Sequence, residues 1–268
     1  MEDSITVITL TKDRTELLQR AIDSVQNQDI RTPIIHLIII DDCQKTLTYL
    51  KKYKESRKIK WVYQKRNNNF KPLPAILAHL RNLGVKYSDS KWISFLDDDN
   101  EFERNHLSSL LACAKKTGFQ AVHSYRKKYF KDGSPFLEKE WPWQRTKKGR
   151  KEKYEKLCKK GVLIPNSNIE NNRCDPLGTP DPVRIVDTSE WLIKRSLLLK
   201  FPFPLDYIQE DWDNLTTEDD KLLDSFVLNK IPIMSTGLPT LKYYLSGYSN
   251  HLNNGKSTDI WKEKNENP

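Results

Sequence analysis

The chain has 268 residues, of which 37% are hydrophobic, and it carries a formal net charge of +9. This length suits one large α/β domain or two small ones, and no apolar run reaches the ~20 residues that a membrane-spanning helix needs. The beginning of the sequence lacks the basic and apolar regions of a signal peptide, and the four cysteines have no metal-ligand spacing. We therefore expect a cytoplasmic protein with reduced thiols.

The positive charge is concentrated in one segment. Residues 125–160 contain 14 Lys or Arg against 5 Asp or Glu, which accounts for the whole net charge of the chain. Because residues 139–182 show no clear periodicity, we expect a mobile basic insertion that exposes Trp141 and Trp143. A strong local positive field concentrates anions, and exposed Trp packs on sugars or at membrane interfaces. The insertion is therefore predicted to recruit an anionic partner or to hold the protein at the inner face of an anionic membrane.

Strands alternate with helices in the first half of the chain. Apolar, β-branched runs predict strands over 4–10, 34–40, 59–63, 92–96 and 121–125. Apolar residues at helical spacing predict helices that begin at a capping box over 13–16 and that cover 47–56, 74–87 and 101–116. This alternation predicts right-handed βαβ units, and therefore an α/β fold with a mostly parallel sheet flanked by helices.

The second half has fewer clear elements. Residues 129–134 look like a hairpin turn, and 183–187 and 191–195 read as strands. Residues 217–229 predict a helix, and 231–235 and 240–245 predict two short strands.

Three adjacent carboxylates follow the strand over 92–96. Asp97, Asp98 and Asp99 repel one another and are costly to bury without a cation. In an extended segment Asp97 and Asp99 would point to one side and Asp98 to the other. Oxygen ligands of this kind suit Mg²⁺ or Mn²⁺ bound together with substrate phosphates. The alternative is a solvated acidic turn in which Asn100 and Glu103 cap the next helix.

Other polar residues also stand at predicted strand ends. Thr11 follows the first strand, and Asp41 and Asp42 follow the second. Since ligands of parallel sheets bind at the carboxyl ends of the strands, the convergence of these positions with the acidic cluster predicts a site for a nucleotide and a metal ion.

Taken together, these residues resemble the family 2 glycosyltransferases of the GT-A fold. The order and spacing of the motifs carry the resemblance, which is strong over residues 4–125, thinner over 186–250 and absent over 126–185. The matching motifs are Thr11-Lys-Asp-Arg14, Ser24-Val-Gln-Asn-Gln28, Ile38-Ile-Ile-Asp41-Asp42, Arg81-Asn-Leu-Gly84, Phe95-Leu-Asp97-Asp98-Asp99 and Glu218-Asp219. The sequence departs from the family at Leu10, where Pro is usual, and at Cys43-Gln44, where Gly-Ser is usual.

The resemblance implies a nucleotide-diphosphate-sugar donor and inversion at the anomeric carbon. It implies that Asp42, or else Asp41, accepts a hydrogen bond from the base, most simply uracil, in a pocket also lined by Thr11 and Arg81. It further implies that Asp98 holds the ribose and that Asp99 binds the Mn²⁺ or Mg²⁺ that bridges the diphosphate. An alternative assignment of the metal uses Asp97 and Asp99.

The resemblance also implies a carboxylate that deprotonates the acceptor hydroxyl. Asp219 is the candidate base, and its position in the first turn of a helix is expected to keep it ionised. Asp211, in the Glu-Asp-Trp segment, is the second candidate. His251 lies where some relatives provide a further metal or diphosphate contact.

The resemblance divides the chain into four parts. These are a nucleotide-sugar-binding half (1–125), a basic variable insertion (126–185), an acceptor-side half with the base (186–252) and a polar tail (253–268). The resemblance implies an acceptor hydroxyl, and it leaves open whether this belongs to a glycan, a lipid-linked sugar, a peptide or a metabolite.

Two other classes of protein compete with this interpretation. A nucleotidyltransferase would share the fold and the metal, but the segment after its first strand is normally Gly-rich, and Thr11–Arg14 contains no Gly. A nucleic-acid-binding protein could use the basic insertion with Tyr125, Tyr129 and Trp143. No recognised nucleic-acid-binding module is present, however, so nucleic acid is not the expected partner.

Overall fold

A nine-stranded sheet runs through the residues described by the computed structural model, 3–66 and 73–245. Its strands and those of a small two-stranded sheet are β1 (Ile5–Thr11), β2 (Ile34–Asp41), β3 (Ile59–Gln64), β4 (Trp92–Phe95), β5 (Glu101–Phe102), β6 (Ala121–Tyr129), β7 (Ile169–Glu170), β8 (Arg173–Cys174), β9 (Arg184–Ile185), β10 (Trp191–Lys194) and β11 (Ile233–Tyr244). The helices are α1 (Thr15–Gln26), α2 (Gln44–Leu50), α3 (Leu73–Tyr87), α4 (His106–Thr117), α5 (Lys147–Lys159), α6 (Arg195–Lys200), α7 (Gln209–Asn214) and α8 (Glu218–Leu228), with 3₁₀ turns at Lys51–Tyr53 and Thr188–Glu190. None of the described helices is both long and apolar enough to cross a membrane.

The main sheet has the strand order β3-β2-β1-β4-β10-β6-β11-β5, and β7 pairs with the far end of β6. Strands β3, β2, β1 and β4 are parallel, whereas β10 is antiparallel to both β4 and β6. Strand β6 therefore runs in the same direction as the first four strands, and β11 is parallel to it. The predicted α/β fold with a mostly parallel sheet is confirmed.

Both faces of the sheet are covered by helices, as continuous apolar strands require. Along β2, Ile39 packs on the side of α3, while Ile38 and Ile40 pack on the side of α1. Helix α3 lies very close to β1, because a Cβ atom at Gly84 would come within 2.8 Å of the Ile8 side chain. The glycine of the Arg-Asn-x-Gly motif thus lets α3 approach the sheet and fixes the place of Arg81 one turn earlier.

Two predicted helix starts are wrong. Helix α1 has Arg14 as its N-cap with no side-chain cap, and Asp13 adopts a φ of +52° instead of opening a capping box. The helix predicted over 101–116 begins later, because Glu101 and Phe102 pair with β11 as strand β5. It ends at Gly118, as expected, in a left-handed conformation with a φ of +74°.

The two strands predicted over 231–235 and 240–245 are one strand. Strand β11 continues through an irregular stretch in which its register with β6 shifts on either side of Pro239. Pro cannot donate a ladder hydrogen bond, so a bulge is where a strand accommodates it.

The basic insertion is folded, which contradicts the expectation for residues 139–182. Thr146 caps α5 by accepting a hydrogen bond from Gly149 N at 3.0 Å. A small core supports the helix and consists of Trp141, Leu157, Val162, Leu163 and Val183. Trp141 is only 7% exposed, so the predicted exposed Trp pair is wrong as well. The apolar residues of this core come from separate short stretches, which is why no periodicity marks them in the sequence.

The predicted boundary at residue 125 falls inside a strand. Strand β6 continues to Tyr129, and the hairpin turn follows it, with Phe130 N donating to Ser134 O at 2.8 Å. The insertion is therefore attached directly to a central strand of the sheet.

Candidate functional site

The predicted site residues of the first half lie together at the carboxyl ends of the parallel strands. Thr11 ends β1 and pairs with Ile40, next to Asp41 at the end of β2. The segment Asp97–Asp99, which we call the acidic turn, begins two residues after the end of β4. Because these strands are parallel neighbours, their ends form one edge of the sheet.

The two aspartates at the end of β2 have different surroundings. Asp41 is buried and forms an ion pair with Arg66, while Lys12 Nζ lies 3.9 Å away. Asp42 is exposed with a φ of +46° and accepts a hydrogen bond from the Tyr63 hydroxyl at 2.9 Å. This hydrogen bond lowers the pKa of Asp42 below its usual value. Sequence reasoning missed Tyr63 and Arg66, whose proximity depends on the pairing of β2 with β3.

The acidic turn is organised by two arginines. Arg14 Nη1 lies 2.8 Å from Asp98 Oδ1, and its Nη2 lies 2.6 Å from Asp99 Oδ2. Asp97 instead lies 3.2 Å from Nη2 of Arg81. The predicted alternation of the three side chains is therefore wrong, because β4 ends at Phe95 and the carboxylates occupy a turn.

Burial dominates the electrostatics of this turn. It raises the pKa of Asp98 to about 7, against the lowering effects of Arg14 and of the neighbouring Thr11 hydroxyl. Burial also raises the pKa of Asp99, again opposed by Arg14. Arg20 adds a further cation, since its Nη2 donates to the Asp99 carbonyl at 2.6 Å. Helix α1 thus directs two guanidinium groups at the turn.

Arg81 connects the acidic turn to the second half of the site. It is 3% exposed, and its Nη2 lies 2.8 Å from Oε1 of Glu218, at the start of α8. Because Asp219 follows Glu218, this ion pair fixes the candidate base relative to α3 and the sheet.

Asp219 is half-buried in the first turn of α8. Thr217 caps the helix in a capping box with Asp220, and its hydroxyl also donates to the Asp219 carboxylate. Burial raises the pKa of Asp219 well above its usual value, and the nearby carboxylates of Asp220, Glu218 and Asp187 raise it further. Burial and the repulsion of these carboxylates thus oppose the helix N-terminus, which was expected to keep Asp219 ionised.

Asp211, the second candidate base, is engaged in local structure. Its Oδ2 lies 2.8 Å from Lys221 Nζ and accepts a hydrogen bond from Ile208 N at 2.9 Å. Burial favours the protonated form, but Lys221 outweighs it and leaves the pKa of Asp211 below its usual value. These contacts favour Asp219 as the base. His251 lies outside the described residues.

Asp187 and Arg126 were missed by sequence reasoning. Asp187 caps the 3₁₀ turn Thr188–Glu190, and its Oδ2 lies 3.0 Å from Nη1 of Arg126. Burial raises the pKa of Asp187 to about 6, while Arg126 lowers it and Asp97 raises it. The capping-box pattern of Asp187 and Glu190 was the only signal that the sequence offered.

Arg126 itself is 3% exposed and packs against two aromatic rings that also contact each other. Its guanidinium is 4.7 Å from the ring centre of Trp143 and 4.6 Å from that of Tyr243. It also pairs with Glu170 at 2.8 Å. Since Trp143 and Glu170 belong to the insertion, the insertion is built into the wall of the site.

The sequence matches a known protein family from the first strand into the insertion. The pattern of the family described as Glycosyl transferase family 2 matches residues 6–167, more than half of the chain. The chain belongs to glycosyl transferase family 2. The family resemblance carried by the motifs is thereby confirmed.

Two curated relatives share part of this family 2 sequence. The poly(ribitol-phosphate) beta-N-acetylglucosaminyltransferase TarP of Staphylococcus aureus is 34% identical over 122 residues, 44% of this chain and 35% of TarP. The GalNAc(5)-diNAcBac-PP-undecaprenol beta-1,3-glucosyltransferase of Campylobacter jejuni is 29% identical over 164 residues, 60% of this chain and 47% of the relative. The matched regions thus cover less than half of each relative.

Solved structures confirm the GT-A type of fold. Residues 1–349 of S. aureus TarS superpose with a TM-score of 0.59 and 15% identity, over 90% of this chain and 60% of the TarS chain. The complex of the same TarS fragment with UDP-GlcNAc gives a TM-score of 0.59 and 13% identity, over 94% of this chain and 61% of that chain. At these identities the likeness concerns the fold alone.

The acidic turn would hold a divalent ion only together with a substrate. Its carboxylate oxygens are the ligands that Mg²⁺ and Mn²⁺ prefer. Within residues 3–66 and 73–245, no group of three His, Cys, Asp or Glu side chains could hold an ion without help. Such ions commonly take one or two carboxylates and complete their shell with phosphates and water. Because Arg14 already neutralises Asp98 and Asp99, an ion at Asp99 would have to displace or share this guanidinium.

Proposed function

We propose that this chain transfers a sugar from a uridine-diphosphate sugar to a hydroxyl group, with inversion and with Mn²⁺ or Mg²⁺. The observation that carries the proposal is the link from Asp97 through the buried Arg81 to Glu218, the residue that precedes the half-buried carboxylate of Asp219. An inverting transfer needs such a pair of sites, one for the leaving diphosphate and one for the base.

The donor lies along the ends of β1, β2 and β4 in this proposal. Asp42 or Asp41 accepts a hydrogen bond from the uracil, while Thr11 and Arg81 line the same pocket. Asp98 holds the ribose. Crystal structures of TarS contain UDP in one complex and UDP-GlcNAc in another, which supports uridine as the nucleoside.

Asp99, with Asp97 as the alternative partner, holds the divalent ion. When bound, the ion supplies positive charge to the leaving diphosphate. Arg14 and Arg20 stand beside the same turn and add to this positive charge. Arg14 is thus suited to bind the leaving diphosphate, since guanidinium groups bind phosphate oxygens in a bidentate manner.

Asp219 takes the proton from the acceptor hydroxyl as the new bond forms. Its raised pKa makes the ionised form a stronger base than an ordinary aspartate, which suits general-base catalysis near neutral pH. Asp187 is close enough to contribute to that pKa, and it therefore belongs to the same site.

The acceptor carries phosphate in this proposal. The names of both curated relatives describe acceptors that carry phosphate. One is poly(ribitol-phosphate), and the other is a glycan linked to undecaprenol through a diphosphate. Undecaprenol is a long-chain lipid that resides in a membrane, so we propose that the protein works in the cytoplasm at the membrane surface.

One experiment tests the proposal directly. The protein should turn over at least one member of a panel of UDP-sugars in the presence of Mn²⁺, measured as release of UDP. GDP- and dTDP-sugars serve as the matched controls. Turnover that prefers a GDP- or dTDP-sugar would overturn the uridine assignment, and an absence of turnover and binding with every nucleotide sugar would overturn the proposal as a whole.

A further inference from the structure

Helix α5 of the insertion presents a row of three lysines. Lys153, Lys156 and Lys160 follow one another at helical spacing, so their side chains emerge on the same side. Lys156 Nζ lies 2.9 Å from Asp181 Oδ1, and Lys160 Nζ lies 2.6 Å from Asp181 Oδ2. The two ammonium groups thus converge on one carboxylate, and we call these three residues the lysine row.

The lysine row is adjacent to the first turn of α8. Strand β9 contacts α8, and Lys153 lies close enough to Asp220, the residue after the candidate base, for the two charges to influence each other. Val183 and Ile185 of the segment between α5 and α8 pack in the small core under α5. Asp220 is exposed and Asp219 is half-buried, so the first turn of α8 is accessible to solvent. The row therefore lies beside the turn that carries Asp219, which an acceptor can approach from solvent.

The row carries more positive charge than its neighbours neutralise. Asp181 is the shared ion-pair partner of Lys156 and Lys160, and it is exposed. Among the residues that the structure describes, Lys153 forms no ion pair within 4.0 Å, although its side chain is half-buried. Burial lowers the pKa of Lys153, and Lys156 and Lys160 lower it further. A half-buried ammonium group among other cations gains stability from any anion that can reach it.

We infer that Lys153, Lys156 and Lys160 bind a phosphate group of the acceptor and so hold its hydroxyl beside Asp219. Ammonium groups bind phosphate as point charges, and two or three of them match the charge of one phosphate group. The inference rests on the proposed function, since it places an acceptor at the site. Asp181 then acts as a competing anion that the phosphate displaces from Lys156 and Lys160.

The half-buried position of Lys153 favours a phosphate on a flexible acceptor over a membrane surface. A flat lipid surface meets exposed lysines first, and on α5 these include Lys147 and Lys151. The recessed Lys153 and the exposed Lys147 and Lys151 therefore separate the two kinds of partner, and K153Q/K156Q and K147Q/K151Q are variants with the same change in charge.

The test measures phosphate binding with the donor site already filled. The protein is saturated with UDP and Mn²⁺, and glycerol 1-phosphate is then titrated by calorimetry or by ³¹P NMR. The variant K153Q/K156Q should bind this probe about tenfold more weakly or worse, since it loses two charge-assisted contacts. The control K147Q/K151Q, which loses the same charge, should bind it as the wild type does. The variant D181N should bind it more tightly, because it frees Lys156 and Lys160.

Each result has a defined meaning. Equal losses in K153Q/K156Q and K147Q/K151Q, or no loss in either, overturn the inference, as does weaker binding in D181N. If phosphatidylglycerol vesicles bind in a way that depends on Lys147 and Lys151 while the probe is indifferent to Lys153, the partner is a membrane surface and the inference is wrong. The first step measures UDP binding at the donor site alone. If UDP does not bind, the proposed function is wrong, and the role of the lysines is tested separately by the phosphate titration. Thermal unfolding of each variant verifies that it is folded.

Discussion

Arg81 and Glu218 form a buried ion pair with a distance of 2.8 Å between Nη2 and Oε1. The two residues are 3% and 5% exposed and belong to α3 and α8, which are far apart in the sequence. Because Arg81 also contacts Asp97, the pair joins the acidic turn to the helix that carries Asp219. Its integrity is thus a condition for the site as well as for the fold.

Removal of Glu218 should destabilise the protein strongly. The variant Glu218→Ala leaves a buried guanidinium with Asp97 as its remaining partner, and such losses cost about 3–5 kcal/mol of the free energy of unfolding. Urea denaturation measures this cost. The exposed pair of Lys54 and Glu55 provides the control, since Glu55→Ala should change the stability by less than about 1 kcal/mol. Similar effects in both variants would show that the buried pair has no special role.

The base assignment predicts a specific loss of turnover. Asp219→Asn keeps the shape of the side chain but removes its basicity, so kcat should fall about 10²-fold or more while UDP affinity is retained. In the wild type, activity should rise with pH through a pKa well above that of an ordinary aspartate, because only the ionised carboxylate accepts the proton. Asp211→Asn is the matched control. An active Asp219→Asn enzyme together with an inactive Asp211→Asn enzyme would identify Asp211 as the base.

Donor binding should depend on the divalent ion and on Asp99. Calorimetry with UDP should give tight binding with Mn²⁺, and EDTA or Asp99→Ala should weaken it about tenfold or more. Asp89 precedes β4 at the opposite end of the strand and is exposed, so Asp89→Ala should bind UDP as the wild type does. If neither EDTA nor Asp99→Ala changes the affinity for UDP, the proposed role of the divalent ion is wrong.

Three buried histidines should each weaken the folded state in mild acid, while the raised carboxyl pKa values of Asp98 and Asp187 act in the opposite direction. Burial lowers the pKa of His36 and of His106 to about 3 and that of His123 to about 4. Below pH 6.5 the unfolded chain binds protons that the folded protein does not, so the stabilisation is complete above pH 6.5 and is lost as the pH falls toward 4. Each histidine should contribute about 1.4 kcal/mol per pH unit within this window.

Urea denaturation at several pH values measures this slope. His36→Gln should lower the rise of the free energy of unfolding with pH by about 1.4 kcal/mol per pH unit relative to the wild type, whatever its effect on stability at pH 7, because one group that binds a proton only in the unfolded chain is gone. An unchanged slope in His36→Gln would mean that His36 does not remain neutral in the folded protein.

The sequence was sufficient for the parts of the fold that local patterns determine. A few adjacent residues were enough to predict the buried strand β2 from its apolar run and the end of α4 from its glycine. The same holds for the glycine of the Arg-Asn-x-Gly motif, which marks the helix that packs closely on the sheet. The positions of Thr11, Asp41 and the acidic turn followed from the same logic, because strand ends in a parallel sheet share an edge.

The remaining parts depend on contacts that no local pattern encodes. Asp187 becomes part of the site only because β10 enters the sheet in the reverse direction between β4 and β6. Arg126 packs against both Trp143 and Tyr243, two residues from distant segments. The insertion looked irregular for the same reason, since its small core collects single apolar residues from several turns.

Strand β11 also has a consequence for the order in which the protein can be built on the ribosome. It lies between β6 and β5, so Glu101 and Phe102 reach their places in the sheet only after residues 233–244 have been synthesised. Tyr243, which covers one face of Arg126, arrives at the same late moment. Until then the nascent chain holds a buried arginine partly uncovered and an unpaired strand edge, which is a state that invites aggregation or chaperone binding. Assembly of the site is therefore tied to the last described strand, and nascent chains that stop before residue 233 should not hold a finished active site.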